Sequence, residues 1–361
     1  MIELNPRFQY MEKSRNYWQE TWHRFAKNRV NLLASGFIVF LSLIALFSPM
    51  LAGTKPIICK YKGHIYFPMM GYFYANWENP IFMHDGFGGV YPQNLKKNDE
   101  NSWAIWPLIY NDPYRRVQDN EWPGRPGNHF GKNSAPCWQH PMGTTSQGYD
   151  VLTVMIHGTK IALLVGFVST GIAALIGIVV GAIAGYFGGW TDIIISRAIE
   201  IVMCIPSLIL ILALISIVEK PTIWHIMAIL GVTGWTGIAR LTRAEFLKLK
   251  QSEYVAAAKA LGASQTRIIF RHILPNSLAP ILVPITFGIA AAILVESGLS
   301  FLGFGAPAPN PLWGMLLNAG RSNLSYWWLS FFPGLAIFLT VLTYNLIGEG
   351  LQEATDPRLR S

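Results

Sequence analysis

The chain has 361 residues, of which 52% are hydrophobic and only 13% charged, with a formal net charge of +8 at pH 7. About 25% charged residues is usual for a soluble domain, so the deficit argues against a soluble globule and points to lipid. The basic excess does not signal nucleic acid: most Lys and Arg residues lie just outside apolar runs, as in the cytoplasmic loops of membrane proteins, and no aromatic-basic RNA motif is present.

Residues 1–30 are polar and basic (Arg7, Lys13, Arg15, Arg24, Lys27, Arg29), with Trp18 and Trp22 interleaved. Two readings stand for this cytoplasmic segment: an amphipathic helix on the membrane surface, or a solvated tail. The apolar run Val30 to Ala52 matches the ~20 residues needed to cross the hydrocarbon core. It exceeds the usual signal-peptide core of about 7–15 residues, and Met50-Leu51-Ala52 is a poor cleavage site, so 31–52 is expected to be a retained anchor.

Residues 53–140 are rich in Pro, Gly, Asn, Trp and Tyr and hold no crossing-length run, so they form an extramembrane insert. Ile65-Tyr66-Phe67 suggests a small β element there. Cys59 and Cys137 flank this segment; they are either a disulfide, if it is exported, or two unrelated thiols. Cys204, in an apolar run, is expected to be a packed thiol.

Residues 141–361 are mostly membrane, with helices predicted at about 157–186, 192–218, 222–243, 277–301 and 328–350. The first carries Gly171, Gly177, Gly181 and Gly185, which let transmembrane backbones approach closely. With the anchor, this is an all-α integral membrane protein of about six spans with a partly β insert. Basic residues cluster in the N-terminal tail, in the stretch Arg240, Arg243, Lys248, Lys250, Lys259, Arg267, Arg271, and at Arg358 and Arg360. Six crossings put all three on one side, the cytoplasm, and the insert outside.

The most informative segment lies in the cytoplasmic loop 244–276: Glu253-Tyr254-Val255-Ala256-Ala257-Ala258-Lys259-Ala260-Leu261-Gly262-Ala263-Ser264, continuing to Ile273-Leu274-Pro275. Ala256 to Leu261 is a strong helix former, Gly262 suits a left-handed helix end, and Ser264 suits the N-cap of a second helix, with Pro275 marking the return to the membrane.

This segment resembles the EAA motif of ABC-importer permeases: an acidic residue, paired alanines, a glycine after three more residues, and a downstream Ile-Leu-Pro. Other stretches resemble the oligopeptide, dipeptide and nickel branch of that family. They are His140-Pro141-Met142-Gly143-Thr144 with Gly148 and Asp150-Val151-Leu152; Gly185-Tyr186-Phe187-Gly188-Gly189-Trp190 with Arg197, Glu200 and Pro206; Leu299 to Gly305; and Asn345 to Leu351 with Asp356-Pro357-Arg358. Thr145 and Tyr149 stand where the family has Asp and Arg, and Glu200 where it has Asp. The resemblance covers about 140–361 and, loosely, the first span. Lys55-Pro56, Tyr66-Phe67-Pro68 and Trp103 to Tyr110 resemble the insert of a subgroup that includes permeases for oligopeptides and microcin C-type antibiotics.

The resemblance implies the type I ABC importer permease fold in a bacterial inner membrane. It also implies that Glu253, Ala257, Ala258, Gly262, Ala263 and Ser264 belong to a coupling helix that docks on an ATPase subunit. The implied partners are a homologous permease, two ABC ATPase subunits and an extracytoplasmic solute-binding protein, within membrane lipid. The chain has no P-loop: the nearest string, Gly131-Lys132-Asn133, fails in spacing and in the hydroxyl. It is therefore expected to bind no cofactor or metal and to perform no catalysis, with ATP and Mg on the partner ATPases. Peptides are the implied cargo, with nickel or another small solute still open. An ion-coupled secondary transporter and a membrane assembly factor are the readings from other classes.

Four residues are candidates for the pathway or for its structure: Arg197, Glu200, Pro206 and Glu296. Arg197 stands one turn before Glu200, close enough for an ion pair. Glu296 has no evident local partner, and ionisable groups in spans usually face the bundle interior. Pro206, Pro280 and Pro284 are expected to kink helices or adjust their shape. Lys160 is expected to snorkel near a span end, and Tyr326, Trp327 and Trp328 to form an interfacial aromatic belt.

Overall fold

The computed structural model describes residues 17–72, 91–114, 135–137, 140–307 and 310–355. Arg7, Lys13, Arg15, the Gly131-Lys132-Asn133 string, residues 356–361 and the side chain of Trp18 lie outside the described residues.

The first of the described helices is α1 (Tyr17–Lys27), an amphipathic helix in which Arg24 Nε donates to Glu20 Oε1 at 3.0 Å, one turn away. Thr21 and Phe25 are buried and α1 packs on the last helix of the chain. Asn28 caps α2 (Arg29–Leu51) by accepting from Val30 N at 3.0 Å. The exposed face of α2 is largely apolar, as a helix facing lipid requires.

The insert holds a three-stranded antiparallel sheet of order β2-β1-β3, from β1 (Ile58–Tyr61), β2 (His64–Tyr66) and β3 (Trp103–Ile105). A two-residue turn, Lys62-Gly63, joins β1 to β2 with φ of 46° and 80°, the left-handed conformation that a tight hairpin demands. A short helix α3 (Tyr91–Asn98) lays Leu95 over Cys59 and Tyr61, both fully buried. Cys59, Cys137 and Cys204 are all free thiols, so no Cys59–Cys137 bridge forms; Cys204 is exposed rather than packed.

The central element is α4 (Val151–Phe187), 37 residues capped by Asp150, whose Oδ2 accepts from Thr153 N at 2.8 Å and Thr153 Oγ1 at 2.7 Å. It is followed by α5 (Gly189–Cys204), α6 (Ser207–Ser216), α7 (Ile223–Thr233) and α8 (Trp235–Lys250). Next come α9 (Glu253–Ala260), α10 (Gln265–Leu302), α11 (Trp313–Ser322) and α12 (Trp328–Thr355).

Among the described residues, four unbroken helices are long and apolar enough to cross a bilayer: α2, α4, α10 and α12. Taken together as one span, the bent pair α5–α6 is a fifth candidate crossing. A core of α2, α4, α10, α11 and α12 centres on Leu163, Ile293, Trp313 and Leu329, and a second of α4, α6, α7 and α10 centres on Val165, Ile226 and Leu299.

Three predicted helices differ in detail. The single helix expected at 192–218 is broken at Pro206, where α5 and α6 meet at 83°. Proline supplies no amide to the ladder and pushes the residue before it out of the helical region; Ile205 is extended, with φ −87° and ψ 125°. Pro280 and Pro284, by contrast, lie inside α10 without interrupting it.

The helix expected at 222–243 is divided at Gly234, where Thr233 Oγ1 turns back onto the carbonyls of Ile229 and Leu230 at 2.8 and 3.2 Å. Its continuation α8 runs to Lys250, so Lys248 and Lys250, expected in the loop 244–276, stand on a helix. Likewise Pro275 does not separate two helices. The chain is helical from Gln265, and a widened π turn at Ile268–Ile273 gives the proline ring room against the preceding carbonyls.

Three of the predicted glycines interlock α4 with α8. A Cβ at Gly177 would stand 2.8 Å from Ile238 Cβ, and one at Gly185 2.6 Å from the Arg243 carbonyl; Gly181 lies tighter still on Ala239. Gly171 meets nothing within 4 Å and plays no part in this contact.

Candidate coupling surface and transmembrane supports

The helix α9 sits at one end of the bundle, between α8 and α10. Glu253 stands in its first turn, where a carboxylate complements the unpaired amides of a helix start. The helix stops in a Schellman motif. Gly262 N donates to Lys259 O at 2.9 Å, and Ala263 N to Ala258 O at 3.0 Å, with Gly262 at φ +78°. Ser264 then caps the start of α10, its Oγ accepting from Arg267 N at 3.4 Å.

One side chain pins α9 to the bundle. Val255 is fully buried among Tyr186, Phe246, Ile268 and Ile273. The rest of the element faces outward: Ala256, Ala257, Lys259, Ala260 and Gly262 are exposed, and Leu261 is 89% exposed. The motif residues Glu253, Ala257, Ala258, Gly262, Ala263 and Ser264 are thus gathered on one small protrusion.

The base beneath α9 is tied by charge. Lys250 Nζ donates to the Tyr186 carbonyl at 2.5 Å and lies 5.5 Å from the Tyr186 ring centroid, which satisfies a carbonyl at the end of α4. Arg243 on α8 grips Asp192 in the first turn of α5 with two N–H groups, Nη2 to Oδ2 at 2.6 Å and Nε to Oδ1. Sequence reasoning missed this pair, because 51 residues separate its members and no local spacing joins them.

Of the other candidates, Arg197 Nη1 donates to Glu200 Oε2 at 2.5 Å, an exposed pair within α5. Pro206 forms the elbow described above. Glu296 is 2% exposed, and its Oε1 accepts from Ser300 Oγ at 2.6 Å, a partner one turn on that sequence reading did not identify. The structure places Glu296 with Ser300, away from the Arg197–Glu200 bond.

The opposite end of the bundle carries two buried polar clusters. His140 Nδ1 meets Asp150 Oδ1 at 2.7 Å, and Trp328 Nε1 donates to the Thr144 carbonyl at 3.0 Å over Gly143, which has φ +76°. Trp328 is therefore not part of an aromatic belt with the exposed Trp327. It is a buried strut between α12 and the His140–Thr144 turn. Thr145 Oγ1 accepts from Tyr149 N at 3.1 Å, closing the turn by a hydrogen bond where the family pattern has two charged residues.

The second cluster seats the insert. Asp112 Oδ2 accepts from Thr54 Oγ1 at 2.8 Å and from Tyr72 OH at 3.0 Å, and the Tyr72 oxygen accepts from Thr54 N at 2.9 Å. Burial, and then the adjacent Asp112 charge, push the Tyr72 phenol well above its ordinary range and raise that of Tyr114. His157 Nε2 lies 2.7 Å from the Ala52 carbonyl, which only accepts, so the proton sits on Nε2 and ties α4 to the end of α2. Among the described residues there is no group of three or more His, Cys, Asp or Glu able to hold a metal ion.

Residues 177–361 match the model of the binding-protein-dependent transport system inner membrane component, and residues 16–64 that of the N-terminal TM domain of oligopeptide transport permease C. The inner membrane ABC transporter permease protein YejE of Escherichia coli is 34% identical over 347 residues, 94% of this chain and 96% of that protein. The peptidoglycan transport system permease protein YejE of Agrobacterium fabrum is 33% identical over 363 residues, covering 93% of this chain and 92% of its own. The dipeptide transport system permease protein DppC of Alkalihalophilus pseudofirmus is 41% identical over 227 residues, covering 63% and 74% of the two chains. The chain, a multi-pass membrane protein, belongs to the family of binding-protein-dependent transport system inner membrane components.

Proposed function

We propose that this chain is the permease subunit of an ATP-driven importer of peptides or peptide-like solutes, forming half of the pathway beside a homologous partner permease. The observation that carries this is α9: a two-turn helix held by Val255 alone, stopped by Gly262, and otherwise presenting small, exposed alanine faces. Such a protrusion is shaped to enter a groove on another protein and to pass its movement to α8 and α10. The basic residues of α1 and α8 support a cytoplasmic position for this end and an outward one for the insert, in a bacterial inner membrane. A solute-binding protein delivers cargo on the insert side. ATP and Mg bind to two separate ATPase subunits, whose closure drives α9. The peptide class is supported by the relatives described above, which include a dipeptide and a peptidoglycan transport permease.

The test is reconstitution. The complex purified through this chain is expected to contain a nucleotide-hydrolysing companion and to import peptide on ATP addition. Gly262→Asp is expected to leave ATP hydrolysis running while uptake falls. A purified complex without such a companion, or full uptake by that variant, overturns the assignment.

A further inference from the structure

The three-stranded sheet of the insert has two unlike faces. Cross-strand partners project to the same side, so the pairs Cys59–Tyr66 and Cys59–Ala104 share one face with Tyr61. Leu95 of α3 covers that face. The pairs Lys60–Ile65, Lys60–Trp103 and Ile58–Ile105 share the other. There Ile65, Trp103 and Ile105 are exposed, as is Phe67 just beyond β2. The open face of an antiparallel sheet is ordinarily polar. Of these side chains only Lys60 is charged.

The path from β3 to the end of α2 sets the height of this face. Leu108 N donates to the Met50 carbonyl at 3.2 Å and Ile109 N to the Leu51 carbonyl at 2.8 Å, both in the last turn of α2. The 23 residues of α2 measure about 34 Å at 1.5 Å each, against ~30 Å of hydrocarbon, so Met50 and Leu51 stand at the bilayer edge. Leu108 is held at that edge and is 82% exposed. It extends the apolar surface of α2, where Leu46 and Phe47 are also exposed, towards the sheet. Ile105 is three residues from Leu108, at most about 10 Å of chain, and the headgroup layer is about 5–8 Å thick. The Ile58–Ile105 end of the sheet therefore lies in or against that layer.

Composition points to what covers the face. The indole of Trp103 suits the zone between acyl chains and water, because it is apolar with one polar edge. A lysine beside it can lay its stem on apolar surface while its ammonium reaches a phosphate. None of the strand residues on this face is a carboxylate that would repel an anionic headgroup.

We infer that this face of the insert rests on phospholipid, on the leaflet where α2 ends. Leu108 sits at the acyl boundary, Ile105, Ile65 and Trp103 among the headgroups, and Lys60 beside their phosphates. The bilayer then holds the insert from one side while the Asp112 cluster holds it from the other end of its chain.

The experiment uses the whole complex in nanodiscs of phosphatidylethanolamine and phosphatidylglycerol. Cys137 and Cys204 are replaced by Ala, and this parent chain, with Cys59 buried, gives the blank. Leu108→Cys, Ile105→Cys and Ile65→Cys are each labelled with nitrobenzoxadiazole, and Lys96→Cys on α3 serves as the exposed control. Phospholipid bearing a nitroxide near the top of its acyl chain is expected to quench the label at 108 several-fold, that at 105 less and that at 65 least, and to leave that at 96 unchanged. Quenching no greater than the control at all three sites overturns the proposal. A change at 105 and 65 that comes only when the binding protein is added also overturns it, and assigns the face to a protein.

If the labelled variants do not assemble, the wild-type complex is photolysed with a phospholipid carrying a diazirine beside its glycerol. Crosslinks within residues 103–108 and none within 94–98 are expected. Crosslinks to neither segment, or to 94–98 alone, overturn the proposal.

Discussion

Asp192 and Arg243 lock α5 to α8 through two parallel N–H···O bonds, with both side chains less than one-third exposed. The fork geometry matters more than the charge, because a lysine offers a point charge and no paired donors. Arg243→Lys is expected to cost about 1–2 kcal/mol of thermal stability in detergent and to reduce uptake more than binding-protein-stimulated ATP hydrolysis. Asp192→Asn should do the same. Thermal unfolding of the purified complex, alongside transport assays, checks both.

Within this chain Gly262 has room for a side chain, since a Cβ there meets nothing within 4 Å, so here its constraint is backbone conformation, whereas the charge of Gly262→Asp acts on the exposed docking face. At φ +78°, a β-branched residue is strained by about 1–2 kcal/mol, whereas asparagine tolerates the region. Gly262→Asn should retain most uptake and Gly262→Val should lose most of it. Val255→Ala, which removes the anchor, is expected to destabilise α9 by about 2 kcal/mol. Protease sensitivity near Gly262 reads that loosening directly.

Trp328 and Gly143 form a contact with no slack. A Cβ on Gly143 would lie 2.7 Å from the indole nitrogen, at a backbone φ of +76°. Gly143→Ala is therefore expected to be more harmful than Trp328→Phe, which leaves the Thr144 carbonyl without its donor at a cost of about 1–3 kcal/mol. Melting temperatures of the two variants should fall in that order.

Alkaline pH should loosen the insert. Burial pushes the Cys59 thiol from 9.0 up to about 12, and Tyr72 and Tyr114 are raised as well. Above pH 9 the unfolded chain releases the Cys59 proton while the folded chain keeps it, so the stability this group contributes is lost as pH rises towards 12. The slope is about 1.4 kcal/mol per pH unit for a single group. Thiol labelling of Cys59 in the folded complex should remain negligible at neutral pH, and Cys59→Ala should flatten the alkaline decline.

The long spans were legible because length and apolarity alone define a crossing: Val30 to Ala52 announces α2 as plainly as any contact. The Schellman end of α9 was legible too, because the placement of Gly262 after an alanine helix is a local rule. Pro206 was noticed, but not the size of its turn, which depends on where α6 finds a core for Ile211 and Ile215. The break at Gly234 and the π turn before Pro275 arise from competition between local bonds and packing, which periodicity does not register. The Asp192–Arg243, Trp328–Thr144 and Asp112–Thr54 contacts join distant segments, so they were invisible in one sequence. Glu296 was recognised as costly, but its Ser300 partner, at a simple four-residue spacing, could have been found.

The glycine seam between α4 and α8 fixes what kind of motion this molecule permits. With backbone resting on backbone at Gly177, Gly181 and Gly185, the two helices have no side-chain cushion in which to slide. They must travel as one bar about 55 Å long, at 1.5 Å per residue for the 37 residues of α4. On the proposed permease reading, a tilt imposed at α9 is expected to reach the far tip of α4, where Asp150 meets His140 and His157 meets the end of α2.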